Sequence, residues 1–157
     1  MHHARHRRPH AGHEGEPRAV SGAKPAWRVG DELDERALPP VTRTQLASYA
    51  KASGDYNPIH TSDKAAEEAG LPGVIAHGML TAAAMALPFS PYLEHGYVRE
   101  LKVRFSGMVY PGDEILVDGH VTGSEETAEG CLYDFEVHAR KGEDVVASGT
   151  VSFVLFG

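Results

Sequence analysis

Four polar side chains fall within one short stretch: Ser53, Asp55, Asn57 and His60. A carboxylate and an imidazole placed together can share proton transfer near neutral pH. Asn57 adds both a donor and acceptors. The same residues are also ordinary turn formers, and Asn57-Pro58 opens a turn. Spacing alone therefore leaves two readings: an acid–base pair, or plain turn chemistry with His60 at the surface. A second point of interest is His77-Gly78. If a helix starts there, its first backbone N–H groups are unpaired and carry partial positive charge. Gly78 then lets a ligand oxygen approach the backbone, or merely lets the helix pack closely against a sheet.

The elements that must position these residues are legible. Thr42 and Gln45 have the spacing of a capping box, and Leu46, Tyr49 and Ala50 recur on one helical face, with Gly54 as a stop. Ser62 caps a second short helix over Asp63–Ala69, ended by Gly70. Pro58 disfavours helical geometry at Asn57, so Asp55 and His60 belong to an ordered loop between the two. A third helix is expected over Ala76–Leu87, stopped by Pro88 and apolar nearly all round, hence buried on most sides. The last third changes period from 3.6 to 2. Leu101, Val103 and Phe105 alternate with polar residues, as do Ile115, Val117 and Val121, then Cys131, Tyr133, Phe135 and Val137, then Val145, Ala147, Val151, Phe153 and Leu155. The pattern predicts a four-strand antiparallel meander with a polar turn over Gly123–Gly130, covered on one face by the third helix. A fifth strand can come from Trp27–Leu38.

Composition narrows the classes. Of 157 residues, 41% are apolar and 24% charged, which suits one globular domain. A net charge of -7 argues against general nucleic-acid binding. The longest apolar stretch, Val74 to Phe89, is too broken for membrane insertion. No secretory signal pattern opens the chain, and its single cysteine, Cys131, cannot form an internal disulfide, so a cytoplasmic location is expected. Residues 1–26 hold five basic residues against two acidic ones, five of the ten histidines, and almost no bulky apolar side chain. That segment is expected to be a disordered basic His-rich tail, either a solvated extension or a weak contact for metal or an anionic partner; the folded domain is then 27–157. Phosphate loops, dinucleotide fingerprints, nucleophile elbows and metal-spaced Cys/His sets outside the tail are all missing from the sequence. Cys131, mid-strand, reads as a packing residue.

Taken in order, Ala52-Ser53-Gly54-Asp55-Tyr56-Asn57-Pro58-Ile59-His60, then Asp63, then Ile75-Ala76-His77-Gly78-Met79-Leu80, followed by strands, closely resembles the MaoC-like dehydratase family. That family includes (R)-specific enoyl-CoA hydratases and the dehydratase subunits of mycobacterial-type fatty acid synthase II; the resemblance is close to the catalytic subunit of the latter. It spans roughly residues 27–157, and the tail has no counterpart.

The resemblance implies an α+β hot-dog fold, an antiparallel sheet wrapped around one long central helix, dimeric, with substrate between protomers. It implies a hydro-lyase: reversible dehydration of (3R)-3-hydroxyacyl thioesters to trans-2-enoyl thioesters. Asp55 and His60 would be the catalytic pair on one water, with Asn57 supporting the loop. Gly78 would give the oxyanion N–H, with His77, Met79 and Leu80 forming the neighbouring substrate wall and acyl slot near Ala83 and Leu87–Leu93. No metal or organic cofactor is implied; coenzyme A or acyl carrier protein is part of the substrate. The partner would be an identical chain or a related hot-dog subunit. Two rival expectations are a hot-dog acyl thioesterase and a non-catalytic acyl-binding subunit; the intact Asp-x-Asn-Pro-x-His loop argues against both.

Overall fold

The computed structural model describes residues 23–157. The expected tail therefore lies outside the described residues except for residues 23–26, which have no regular secondary structure.

Trp27 is packed against the sheet. Its ring meets Tyr92, Tyr133, Phe135 and Phe153 edge-on, at centroid separations of 4.9, 5.3, 5.0 and 5.6 Å. This clamps the start of the domain to the sheet through edge-to-face aromatic contacts. Next, β1 (Arg36–Ala37) pairs with the later strand β3 (Leu116–Thr127), so the region does supply a fifth strand, though only two residues long.

Helix α1 (Arg43–Ser53) starts as its sequence dictates: Thr42 Oγ1 accepts the Gln45 N–H at 3.1 Å. It ends at Gly54, whose φ of 76° is the left-handed cap that glycine adopts without strain. Leu46 and Ala50 are the face it buries. Helix α2 (Asp63–Glu68) is capped by Ser62. Helix α3 (Gly78–Ala86) starts two residues later than its apolar pattern suggests. Ala76 N–H is spent on Val109 O at 2.7 Å, and His77 is the N-cap. Past Ala86 the chain tightens into a 3-10 turn over Leu87–Tyr92 that carries Pro88 and Pro91.

The third helix is not buried all round. Thr81, Ala82, Ala84 and Met85 face the core, but Met79 is 63% and Leu87 43% exposed, with Ala83 open between them. These three, four residues apart, form an uncovered apolar stripe.

Strands β2 (Gly96–Phe105), β3 (Leu116–Thr127), β4 (Gly130–Lys141) and β5 (Asp144–Phe156) form one antiparallel sheet in the order β1-β3-β4-β5-β2. The expected four-strand meander is thus correct only for β3, β4 and β5. β2 lies beside β5, because residues 106–115 are a crossing connection rather than a hairpin: Ser106 and Gly107 bond back to Val146, and Val109 to Ala76. The expected polar turn over 123–130 is mostly strand as well, since the β3–β4 ladder runs to Thr127↔Gly130 after a bulge at Val121/Gly123. At Gly149, opposite Val103, a Cβ would collide with the Lys102 carbonyl, so this close approach of β2 and β5 needs glycine. The core between sheet and α3 is built from Met85, Phe89, Val117, Phe135, Val137, Val151 and Phe153, all essentially solvent-free.

Candidate active site

The loop after α1 is built from its own polar side chains. Ser53 Oγ donates to Tyr49 O at 2.7 Å and accepts the Asp55 N–H at 3.2 Å. Asp55 Oδ1 accepts the Asn57 N–H at 3.2 Å, and Asn57 Oδ1 accepts the Ile59 N–H at 3.3 Å. Asn57 thereby caps a 3-10 turn, Pro58–His60, in which Pro58 needs no donor. The turn chemistry and the acid–base reading are therefore compatible: the turn is what delivers His60 inward.

His60 is buried at 8% exposure, while Asp55 stays open to solvent. His60 Nδ1 lies 2.8 Å from the Ile75 carbonyl. A carbonyl only accepts, so Nδ1 carries the proton and a neutral ring turns its Nε2 lone pair outward. That Nε2 is 3.9 Å from Asp55 Oδ2, too far for a direct hydrogen bond and suited to a shared small molecule between them. Asn57 Oδ1 is committed to the loop backbone, which makes its visible role the geometry of the turn.

His77 is 1% exposed. Its Nε2 donates to the Asp55 carbonyl at 3.1 Å, and its ring stacks on His60 at 3.9 Å and 25°. Its side chain lies beneath His60 rather than at the surface. Gly78, the next residue, opens α3 with its backbone exposed. A Cβ there would meet the Phe105 ring at 3.3 Å, so Phe105 packs close over Gly78 from the β2 side. Met79 points into solvent, whereas Leu80 lines a cavity of about 460 Å³ with Ala76, Ala83, Ala84 and Leu87. The opposite wall is Leu38, Pro39, Pro40 and Val41, and the lining is mostly apolar.

Asp55, His60 and His77 bring ligand-type atoms within 4.8 Å of one another. They do not suit a metal ion. The two rings are stacked, so their in-plane lone pairs run side by side rather than converging, and one nitrogen of each is spent on a carbonyl.

Three contributors carry no signal in the sequence. The Ile75 carbonyl orients His60 through the backbone, Phe105 reads only as a strand residue, and Leu38-Pro39-Pro40 reads as a rigid connector rather than a cavity wall. The pattern of Tyr49 as an apolar-face residue did mark it as inward; its ring meets His77 at 4.8 Å.

Residues 25–141 match the family model described as MaoC like domain. The fatty acid synthase subunit beta of Aspergillus oryzae is 47% identical over 74 residues, 45% of this chain but 4% of that protein; the chain thus spans a small fraction of the fungal synthases it matches. The mitochondrial 3-hydroxyacyl-[acyl-carrier-protein] dehydratase of Arabidopsis thaliana is 27% identical over 135 residues, 85% of this chain and 80% of that one. Among solved structures, the (R)-hydratase from A. caviae involved in PHA biosynthesis superposes with a TM-score of 0.74 at 21% identity, covering 83% of this chain and 98% of the other. That likeness establishes the hot-dog fold. No helix among the described residues is long and apolar enough to cross a membrane.

Proposed function

The chain belongs to the MaoC-like domain family, and from that premise we propose that it reversibly dehydrates (3R)-3-hydroxyacyl thioesters to trans-2-enoyl thioesters. The observation that carries this reading is the facing of the Asp55 carboxylate and the His60 Nε2 lone pair across 3.9 Å, each held by bonds elsewhere.

In the dehydration direction His60 Nε2 takes the proton from C2 and returns it to the hydroxyl oxygen as the C3–O bond breaks, so one proton moves and one water leaves. Asp55 accepts a hydrogen bond from that water and holds it. In hydration the same water attacks C3 and the proton goes to C2. General acid–base assistance of this kind is worth roughly a hundred- to ten-thousand-fold. The thioester oxygen gains charge during the step. The Gly78 N–H, at the partly positive end of α3, would receive it; removal of one such donor typically costs about 2.7–4 kcal/mol. The acyl chain would occupy the apolar cavity along Leu80, Ala83 and Leu87. The carrier is coenzyme A or acyl carrier protein.

A second hot-dog chain, identical or related, would cover the exposed Met79, Leu87 and Phe105 and the outer edge of β2, which pairs with no other strand among the described residues. Light scattering at micromolar concentration is expected to give at least a dimer; an active monomer would contradict it.

The test of the reaction is direct. The purified chain should remove the enoyl absorbance of crotonyl-CoA in water without releasing free thiol. Thiol release would instead support the thioesterase alternative, and no reaction of either kind would remove the catalytic reading.

A further inference from the structure

His77 is the buried titratable group that the reaction above leaves without a task. Its surroundings are unusual for a polar ring. It is 1% exposed, lies between the rings of His60 and Tyr49, and spends Nε2 on the Asp55 carbonyl. Its Nδ1 is buried with no hydrogen-bond partner among the described residues. An orphaned buried acceptor is costly, and a phenyl ring would fill the same space without one. What the imidazole offers over a phenyl is therefore a single interaction, the Nε2–H bond to the backbone of Asp55.

That bond joins three parts of the site. It fixes the residue that bears the carboxylate. The ring that makes it is the floor against which the His60 imidazole rests. The residue that carries it precedes Gly78 in the chain and caps α3. We propose that His77 is a positioning residue: its Nε2–H bond to the Asp55 carbonyl sets the Asp55–His60 pair in register with the Gly78 N–H. It touches no substrate. Small errors in such a register matter, because a misplacement of about 1 Å can cost roughly a hundredfold in rate.

The activity arm of this inference rests on the dehydratase reading; its structural arm does not. Two substitutions separate the bond from the ring. His77→Phe keeps the ring and loses the donor. His77→Gln loses the ring but keeps an N–H near the Nε2 position. Each is compared with wild type by melting temperature, by kcat and KM on crotonyl-CoA, and by amide hydrogen exchange over residues 54–60.

His77→Phe is expected to melt at or above the wild-type temperature, since the orphaned nitrogen is gone. Its kcat should fall roughly ten- to a hundredfold with KM nearly unchanged, and the Asn57 and Ile59 amides should exchange faster. His77→Gln should melt lower yet keep kcat within about tenfold of wild type. A merely structural role predicts losses that follow melting temperature in both variants. A folded His77→Phe with wild-type kcat and wild-type exchange, or a His77→Gln no more active than His77→Phe, would overturn the proposal. If His77→Phe does not fold, a folded His77→Gln decides alone, a kcat below a tenth of wild type counting against. If the wild-type chain shows no hydratase activity, the dehydratase reading fails, and exchange over 54–60 decides the positioning claim: faster in His77→Phe supports it, unchanged overturns it.

Discussion

In one region of the molecule Trp27 is met edge-on by Tyr92, Tyr133, Phe135 and Phe153. In another, the His60 ring lies flat on His77, with Tyr49 tilted against the far ring. Both are clusters of rings with buried members at their centre, but they differ in what holds them. In the aromatic cluster, contacts are perpendicular and apolar, and they tie the chain start to the sheet. Its phenol Tyr133 is pushed up to about 12, first by burial and then by the side chain of Cys131. In the imidazole cluster every ring nitrogen has a direction. Two are bonded to backbone carbonyls, one faces Asp55, and one is left without a partner among the described residues. Packing alone serves stability in the first; in the second, packing is combined with oriented donors that set the His60 imidazole beside an open carboxylate.

The sharpest way to break that contrast is to remove the polar pair. Asp55→Asn and His60→Ala should each lower turnover about a hundred- to ten-thousand-fold; Asp55 is exposed, so its variant should keep the melting temperature, while His60→Ala loses a buried, bonded ring and should melt lower yet remain folded. The double variant should be barely slower than either single one, because both groups serve one water. Additive, modest losses that follow stability would place these residues with the structural cluster instead.

Trp27→Ala should do the reverse. It removes four ring contacts, and the expected cost is about 3 kcal/mol, or a fall of roughly 10 °C in melting temperature, with turnover per folded molecule unchanged. Thermal melting beside active-site titration checks this.

Ala83→Phe probes the ground between the two regions. Ala83 is exposed on α3 and lines the cavity, so bulk is tolerated there without opening the core. The variant should keep crotonyl-CoA turnover while kcat/KM for an eight-carbon enoyl-CoA falls roughly tenfold or more. Equal effects on both substrates would move the acyl slot elsewhere.

The smallest effect is expected at Asp63. The Arg43 guanidinium, 2.7 Å from Oδ1, holds this carboxyl below the usual carboxylate range, with the Val74 N–H adding to it. A carboxyl lowered in the folded state stabilises above its unfolded value, about 3.9, and that stability is lost as pH falls through the folded value. Both partners are exposed, so the contribution is small. Asp63→Asn should melt slightly below wild type at pH 7, and the gap should close below about pH 4. A gap that widens on acidification would contradict the assignment.

What was legible in the sequence follows where local chemistry decides the outcome. Thr42 caps α1 and Gly54 ends it because both acts involve neighbours within four residues. The period-2 pattern marks all four long strands because their side chains alternate between the two faces of the sheet, and short turns show that β3, β4 and β5 are neighbours. It cannot show that β2 pairs with β5, since nothing in Leu101, Val103 or Phe105 says which strand lies alongside. The helix pattern of α3 showed how apolar it is, not that Met79, Ala83 and Leu87 are left open, because exposure depends on what packs against it. At the site, Asp55 and His60 stand out by residue type. The Ile75 carbonyl that sets the His60 tautomer has no side-chain signature, and the burial of His77 beneath His60 arises only when the 54–60 loop folds over the start of α3.

The central claim is that Asp55 and His60 act together on a 3-hydroxyacyl or enoyl thioester. The most direct measurement is the rate at which His60→Ala, verified as folded by circular dichroism and still binding a saturated acyl-CoA, consumes crotonyl-CoA beside the wild-type chain. Rapid loss of enoyl absorbance is expected for wild type and a rate at least about a hundredfold lower for the variant. Near-normal turnover by the folded variant would contradict it.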